Sequence, residues 1–281
     1  MMEEFSSVVS AKWLFDNINH ADVVILDATI PKAGTNLNES LKKEGIPTAR
    51  FFDLKNKFST TDSPFPNTMP SEEQFENEAR ILGINNESIV IIYDLHGIYS
   101  SARAWWMFRA MGHDNVAILD GGFPEWVKEN NTSLEIQPYT CRAGNFTAKY
   151  DPSFFVSSNE VLNAVETETH LILDARAEDR FYGKTPEPRA ELRSGHIPKS
   201  ISMHYARVID NGKLKSKNQL AQLFSDSTTD KKPLIMSCGS GITACILALA
   251  AEMTGNNKIS VFDGSWSEWG GSHFLPVEQT N

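Results

Sequence analysis

Short runs of Val, Ile and Leu recur along the chain, each bounded by turn formers and followed by apolar groups at helical spacing. Residues 24–26, 89–92, 171–173 and 234–236 are continuous apolar runs rather than alternating ones. Continuity of that kind marks strands buried on both faces, as in a parallel sheet covered by helices. Residues 101–110 (SARAWWMFRA) and 242–253 place their apolar groups at helical spacing and predict helices. The pattern is therefore α/β. The most apolar run, residues 242–251, falls short of the roughly 18 residues a membrane span needs and reads as a buried helix.

The pattern also repeats. Val24-Ile25-Leu26-Asp27-Ala28 matches Leu171-Ile172-Leu173-Asp174-Ala175, and Gly45-Ile46-Pro47 corresponds to Gly195-His196-Ile197-Pro198. Ile89-Val90-Ile91-Ile92-Tyr93-Asp94 matches Pro233-Leu234-Ile235-Met236-Ser237-Cys238. Leu119-Asp120-Gly121-Gly122-Phe123-Pro124-Glu125-Trp126 matches Phe262-Asp263-Gly264-Ser265-Trp266-Ser267-Glu268-Trp269. The offsets are nearly constant: 174 − 27 = 147, 238 − 94 = 144 and 263 − 120 = 143. A period near 145 residues exceeds any solenoid repeat and predicts two tandem domains. Residues 6–130 form the first and residues 154–277 the second, each a mainly parallel sheet flanked by helices. The polar, turn-rich stretch 131–153 reads as the linker.

Composition narrows the function. A chain of 281 residues with net charge −10 lacks the basic surface that a general nucleic-acid binder needs. The N-terminal residues show no basic segment followed by an apolar run, so no secretory signal is expected, nor a membrane partner. Three cysteines (Cys141, Cys238, Cys245) without CxxC spacing make neither a disulfide framework nor a zinc site. No metal or organic cofactor is expected, and a reducing, cytoplasmic setting fits best.

The chemistry sits where the repeats differ. At the end of the third matched strand the first half carries Asp94 and the second Cys238. Carboxyl ends of parallel strands are where α/β folds bind ligands. After Cys238 come Gly239, Ser240, Gly241, Ile242 and Thr243, then the apolar helix. Two glycines let the backbone curl tightly, so that several N–H groups point into one concavity at a helix N-terminus. Those donors favour S⁻ over SH, which makes Cys238 the candidate nucleophile. Cys245, seven residues on, and Cys141, in the linker stretch, read as structural. A cysteine phosphatase is disfavoured, because Ala244 stands where its phosphate-binding arginine is required.

The loop Cys238-Gly239-Ser240-Gly241-Ile242-Thr243-Ala244 resembles the active-site loop of 3-mercaptopyruvate sulfurtransferases. The wider pattern, with Arg103-Ala104-Trp105-Trp106-Met107-Phe108-Arg109, Gly195-His196-Ile197-Pro198 and Asp263-Gly264-Ser265-Trp266, is similar to tandem rhodanese-type proteins over nearly the whole chain. The resemblance implies two tandem rhodanese-like domains, the first catalytically silent with Asp94 at the cysteine position. Cys238 and Ser240 would be catalytic, while Gly239, Gly241, Ile242 and Thr243 contact the substrate. It also implies that Arg180 and Arg189 grip the carboxylate and keto oxygen of 3-mercaptopyruvate, a role that suits their planar forks. Sulfur would pass through a Cys238 persulfide to a thiol acceptor, such as thioredoxin or a small thiol, or to cyanide. Related thiosulfate sulfurtransferases carry basic residues after the cysteine, whereas Gly239 and Ser240 are neutral. Thiosulfate as main donor, and a non-catalytic sulfur-carrying or binding module, are the rival readings. One departure stands out: Asn67 occupies a position where the family often has a histidine reaching the active site from the first domain. His196 reads as structural, holding a turn before Pro198.

Overall fold

In the computed structural model, the described residues are 6–32, 44–130, 134–135, 142–227 and 232–279. Cys141 lies outside them. The chain forms two compact units. The first comprises Met1–Thr61, Met69–Asp151 and Asn211–Leu214; the second comprises Asp62–Thr68, Pro152–Asp210 and Lys215–Asn281.

The first unit holds strands β1 (Val8–Val9), β2 (Val23–Asp27), β3 (Arg50–Phe51), β4 (Ile89–Tyr93) and β5 (Val116–Leu119). They form one sheet in the order β1-β5-β4-β2-β3, and every pairing is parallel. Ile25 stands opposite Ile91, and Ile91 opposite Ala117. These side chains are buried with Leu119, Phe123 and Trp126. Each large apolar side chain so buried stabilises the fold by about 1.5–3 kcal/mol relative to exposure. The flanking helices are α1 (Ala11–Asn17), α2 (Glu72–Ile81), α3 (Ser101–Ala110) and α4 (Gly122–Asn130). Helix α2 starts where Ser71 accepts the Gln74 amide, and it carries Glu72 and Glu73 in its first turn and Arg80 in its last, matching the helix dipole.

The second unit repeats this plan. Strands β6 (Phe155–Val156), β7 (Leu171–Asp174), β8 (Ile201–Ser202), β9 (Leu234–Ser237) and β10 (Ile259–Phe262) form a parallel sheet ordered β8-β7-β9-β10-β6. Read from β6, this is the strand order of the first unit. The helices are α5 (Ser158–Thr167), α6 (Glu178–Phe181), α7 (Lys217–Ser227), α8 (Ala244–Met253) and α9 (Ser265–Trp269). Helix α8 is buried from Ala244 to Ala251, as its apolar run predicts, although it begins two residues later than residue 242. Ile172, Ile235, Phe262, Trp266 and Trp269 share one core.

Two stretches depart from a simple division of the chain. Residues 142–151, read as linker, belong to the first unit: Phe146 is buried there, its amide donates to Ile84 O, and Gly144 N donates to Arg80 O. The polar composition conceals a single aromatic anchor. Asp62–Thr68, which lies within the first sequence repeat, belongs to the second unit. Among the described residues, no helix is long and apolar enough to cross a membrane.

Candidate active site

Strand β9 ends at Ser237, Cys238 follows, and the chain curls through residues 239–243 into α8. Gly241 takes φ +75°, a left-handed conformation that glycine adopts without a side-chain penalty. No acceptor among the described residues claims the amides of Gly239, Ser240, Ile242 or Thr243. Thr243 caps α8 without a side-chain hydrogen bond, and the first turn of the helix has no acidic residue. Unclaimed amides at a helix N-terminus make the loop a receptor for negative charge.

Cys238 is only 1% exposed, so the site presents its sulfur from within a fold rather than on a surface. Its amide donates to Ser265 Oγ at 3.2 Å, and the same hydroxyl lies 3.9 Å from Cys238 Sγ. The start of α9 clasps the loop from behind. Trp266 N donates to Cys238 O at 2.9 Å, Ser267 N to Gly239 O at 2.9 Å, and Ser267 Oγ to Gly239 O at 2.6 Å. Cys245, buried in α8, donates its thiol hydrogen to Gly241 O at 3.3 Å.

Of the two expected arginines, Arg180 reaches this loop directly and Arg189 through Ser267. Arg180, on α6, lies over Gly239: a methyl group at that position would stand 3.2 Å from Arg180 Nη2. The glycine therefore makes room for the guanidinium. Arg180 is held by Glu187, which accepts from Nη2 at 2.5 Å and from Nε at 3.3 Å. Arg189 Nη1 donates to Ser267 Oγ at 2.6 Å, the hydroxyl that binds Gly239 O. A cleft of about 530 Å³ opens beside Arg189 and Ser267, with Phe65, Leu192, Glu191 and Phe274 among its walls.

Ser240 is engaged by Asn67, whose Nδ2 donates to Ser240 Oγ at 3.1 Å and to Ser240 O at 3.2 Å. Asn67 sits at φ +61°, a conformation asparagine tolerates better than most residues. The segment carrying it lies within the first sequence repeat and packs with the second unit. His196 is buried; its Nδ1 lies 2.9 Å from Phe181 O, and its ring stacks on Phe181 at 3.9 Å. That is a packing role.

Four side chains were not singled out by sequence: Ser265, Ser267, Glu187 and Arg176. Arg176 is buried between Asp174 (2.7 Å) and Glu187 (2.9 Å), with its guanidinium 4.2 Å from the Trp266 ring centroid. Burial opposes its charge, but the two carboxylates outweigh that and raise its pKa. A signal existed for Ser265, since it aligns with Gly122 of the first repeat and both residues have positive φ, +49° and +56°.

The matching loop of the first unit is closed by its own chain. Asp94, fully buried, accepts from His96 N at 2.9 Å, Tyr99 N at 2.8 Å, Ser101 N at 3.0 Å and Ser101 Oγ at 2.7 Å. The concavity that faces Cys238 in one repeat is filled by a carboxylate in the other. Nearby, burial drives the Asp27 pKa upward, against hydrogen bonds from Thr29. Among the described residues, no cluster of three His, Cys, Asp or Glu could hold a metal ion.

The fold and sequence agree with known relatives. The Rhodanese-like domain model matches residues 10–129 and again residues 157–272. The chain is 36% identical to 3-mercaptopyruvate sulfurtransferase of Mus musculus, over 94% of this chain and 92% of that protein. It is equally 36% identical to thiosulfate sulfurtransferase of Cricetulus griseus, over 98% and 94% of the two chains. The crystal structure of Escherichia coli SseA, a 3-mercaptopyruvate sulfotransferase with the rhodanese fold, superposes with a TM-score of 0.84 at 33% identity, covering 93% of this chain and 99% of that one. Two tandem parallel-sheet domains, a cysteine-bearing loop in the second and full-length similarity place this chain in the rhodanese family, among its tandem-domain sulfurtransferases.

Proposed function

We propose that the protein transfers sulfur from 3-mercaptopyruvate to a thiol acceptor, or to cyanide, through a persulfide on Cys238. The observation that carries this reading is that Arg180 lies against Gly239, the residue after the cysteine, while Arg189 is linked to the same residue through the Ser267 hydroxyl. An α-keto acid offers a carboxylate and a carbonyl, and two guanidinium forks suit that pair.

The Cys238 thiolate attacks the thiol sulfur of the donor. The carbon–sulfur bond breaks, its electron pair passes to carbon, and pyruvate leaves as the enolate, which takes up a proton. The arginines stabilise the charge that develops on the keto oxygen. Ser240, oriented by Asn67, supports the loop and the departing enolate. The amides of Gly239, Ser240, Ile242 and Thr243 cradle the persulfide. An acceptor thiolate then attacks the outer sulfur, regenerating Cys238 in a two-step cycle. A small thiol or a thioredoxin-like protein fills the acceptor role, and the free cysteines Cys238 and Cys245 suit a reducing, cytoplasmic setting. In the first unit, Asp94 supplies no nucleophile and occupies its own loop, so that domain is catalytically silent.

The test is pyruvate release from 3-mercaptopyruvate with a thiol acceptor. Cys238→Ser abolishes it while leaving the fold intact; release at the wild-type rate from that variant overturns the assignment. Thiosulfate as main donor is the second reading, favoured by the equal identity to a thiosulfate sulfurtransferase. The ratio of kcat/KM for the two donors decides between them.

A further inference from the structure

Glu187 is the least expected feature of the site. Its carboxylate is 1% exposed, yet it touches two guanidinium groups: Arg176, itself 1% exposed, and Arg180, whose side chain is 26% exposed. Asp174 completes the chain from the other side of Arg176. Counted by formal charge, Asp174, Arg176, Glu187 and Arg180 sum to zero. Arg189 stands apart, bonded to the Ser267 hydroxyl, and among the described residues no carboxylate forms an ion pair with it. These five side chains therefore carry one net positive charge, although three of them are arginines. Glu191 and Glu268 line the outer cleft beside Arg189 and add two formal negative charges, so the cleft as a whole holds no surplus of positive charge.

Geometry makes the same point. Glu187 takes the Nε and Nη2 side of Arg180, so the remaining Nη1 and Nη2 hydrogens are what the guanidinium can offer a ligand. The carboxylate both aims the fork and cancels its charge. We propose that Glu187 determines the charge of the donor the site accepts: by neutralising Arg180 it removes one unit of positive charge from the loop, which favours a monoanionic keto acid over a dianion such as thiosulfate. Glu187 is thus a positioning and specificity residue that acts through Arg180. The inference rests on the reading above that a mercapto keto acid is the donor.

The decisive variant is Glu187→Gln, which keeps the shape and one acceptor oxygen while removing the charge. It raises the kcat/KM ratio of thiosulfate over 3-mercaptopyruvate by about tenfold or more, because an uncancelled unit charge a few ångströms away attracts a dianion more than a monoanion. A purely structural role predicts that both donors decline by the same factor; an unchanged ratio overturns the proposal. Glu187→Asp, which retains the charge, holds the ratio near wild type.

Alkylation supplies a readout that does not depend on the donor. The rate of Cys238 modification by iodoacetate, an anion, divided by that with neutral iodoacetamide, reports local positive charge. The ratio increases in Glu187→Gln, and it falls below wild type in Arg180→Gln, where the Asp174–Arg176–Glu187 chain is left with one net negative charge. If the amide variant does not fold, the Arg180→Gln result stands alone, and no fall in the ratio refutes the charge count. If wild-type protein releases no pyruvate from mercaptopyruvate yet the alkylation ratios shift as stated, the donor assignment fails while the charge control by Glu187 survives.

Discussion

At the scale of single residues, the site is built from contacts between positions far apart in sequence. Cys238 and its loop were legible because the chemistry is local: two glycines, a strand end and a helix start lie within seven residues. Ser265 and Ser267 were not, since they reach the loop from 27 and 28 residues away. Asn67 reaches Ser240 across 173 residues, a pairing that no spacing rule reveals. Replacing Asn67 with Ala removes both bonds to Ser240 and places alanine at a positive φ. At about 1 kcal/mol per hydrogen bond, kcat/KM for mercaptopyruvate falls by roughly thirtyfold with Cys238 still alkylatable. Unaltered kcat/KM in that variant contradicts a role for Asn67 in ordering Ser240.

At the scale of elements, the repeat explains why similar strands and helices support different loops. The strand-to-helix turn after β4 and the one after β9 both create a ring of donors, and only the second leaves it open. Asp94 fills the first, so it contributes to stability rather than to chemistry. Asp94→Ala leaves a buried amide, two partly buried amides and a buried hydroxyl without their acceptor. A loss of about 3 kcal/mol or more follows from the cost of unpaired buried polar groups. Denaturant unfolding of the full chain measures it, and a change below about 1 kcal/mol contradicts the account. The expected helix at Ser101–Ala110 is present because its apolar spacing is strong. Residues 142–151 misled because one buried aromatic, Phe146, outweighs a polar neighbourhood.

At the scale of the whole molecule, the two-domain division was readable from the constant offset, whereas the exchange of Asp62–Thr68 into the second unit was not. Hydrophobic pattern reports which segments are strands and helices, but it says little about which unit an irregular loop joins. The first unit also carries a pH dependence. Burial holds the His113 pKa below its ordinary 6.5, against a hydrogen bond to Ser88 O. The folded state therefore prefers the neutral imidazole. Its contribution is fully present above pH 6.5 and is lost as the pH falls through the depressed folded value. Glu125 acts in the same direction at lower pH, because its ion pair with Lys213 holds its pKa below 4.5. The His113 contribution therefore declines as the pH falls below 6.5, whereas Asp27, whose pKa burial raises, acts in the opposite direction at lower pH. His113→Gln flattens the upper part of that decline, and an unaltered profile in this variant removes His113 as its cause.

The claim beneath all of this is that sulfur resides on one thiol between the two half-reactions. Intact-protein and peptide mass spectrometry after brief exposure to 3-mercaptopyruvate, with no acceptor present, tests it most directly. A gain of about 32 Da on the peptide containing Cys238, removed by added thiol and missing from Cys238→Ser, is the expected result. Stoichiometric pyruvate release with Cys238 left unmodified would contradict it.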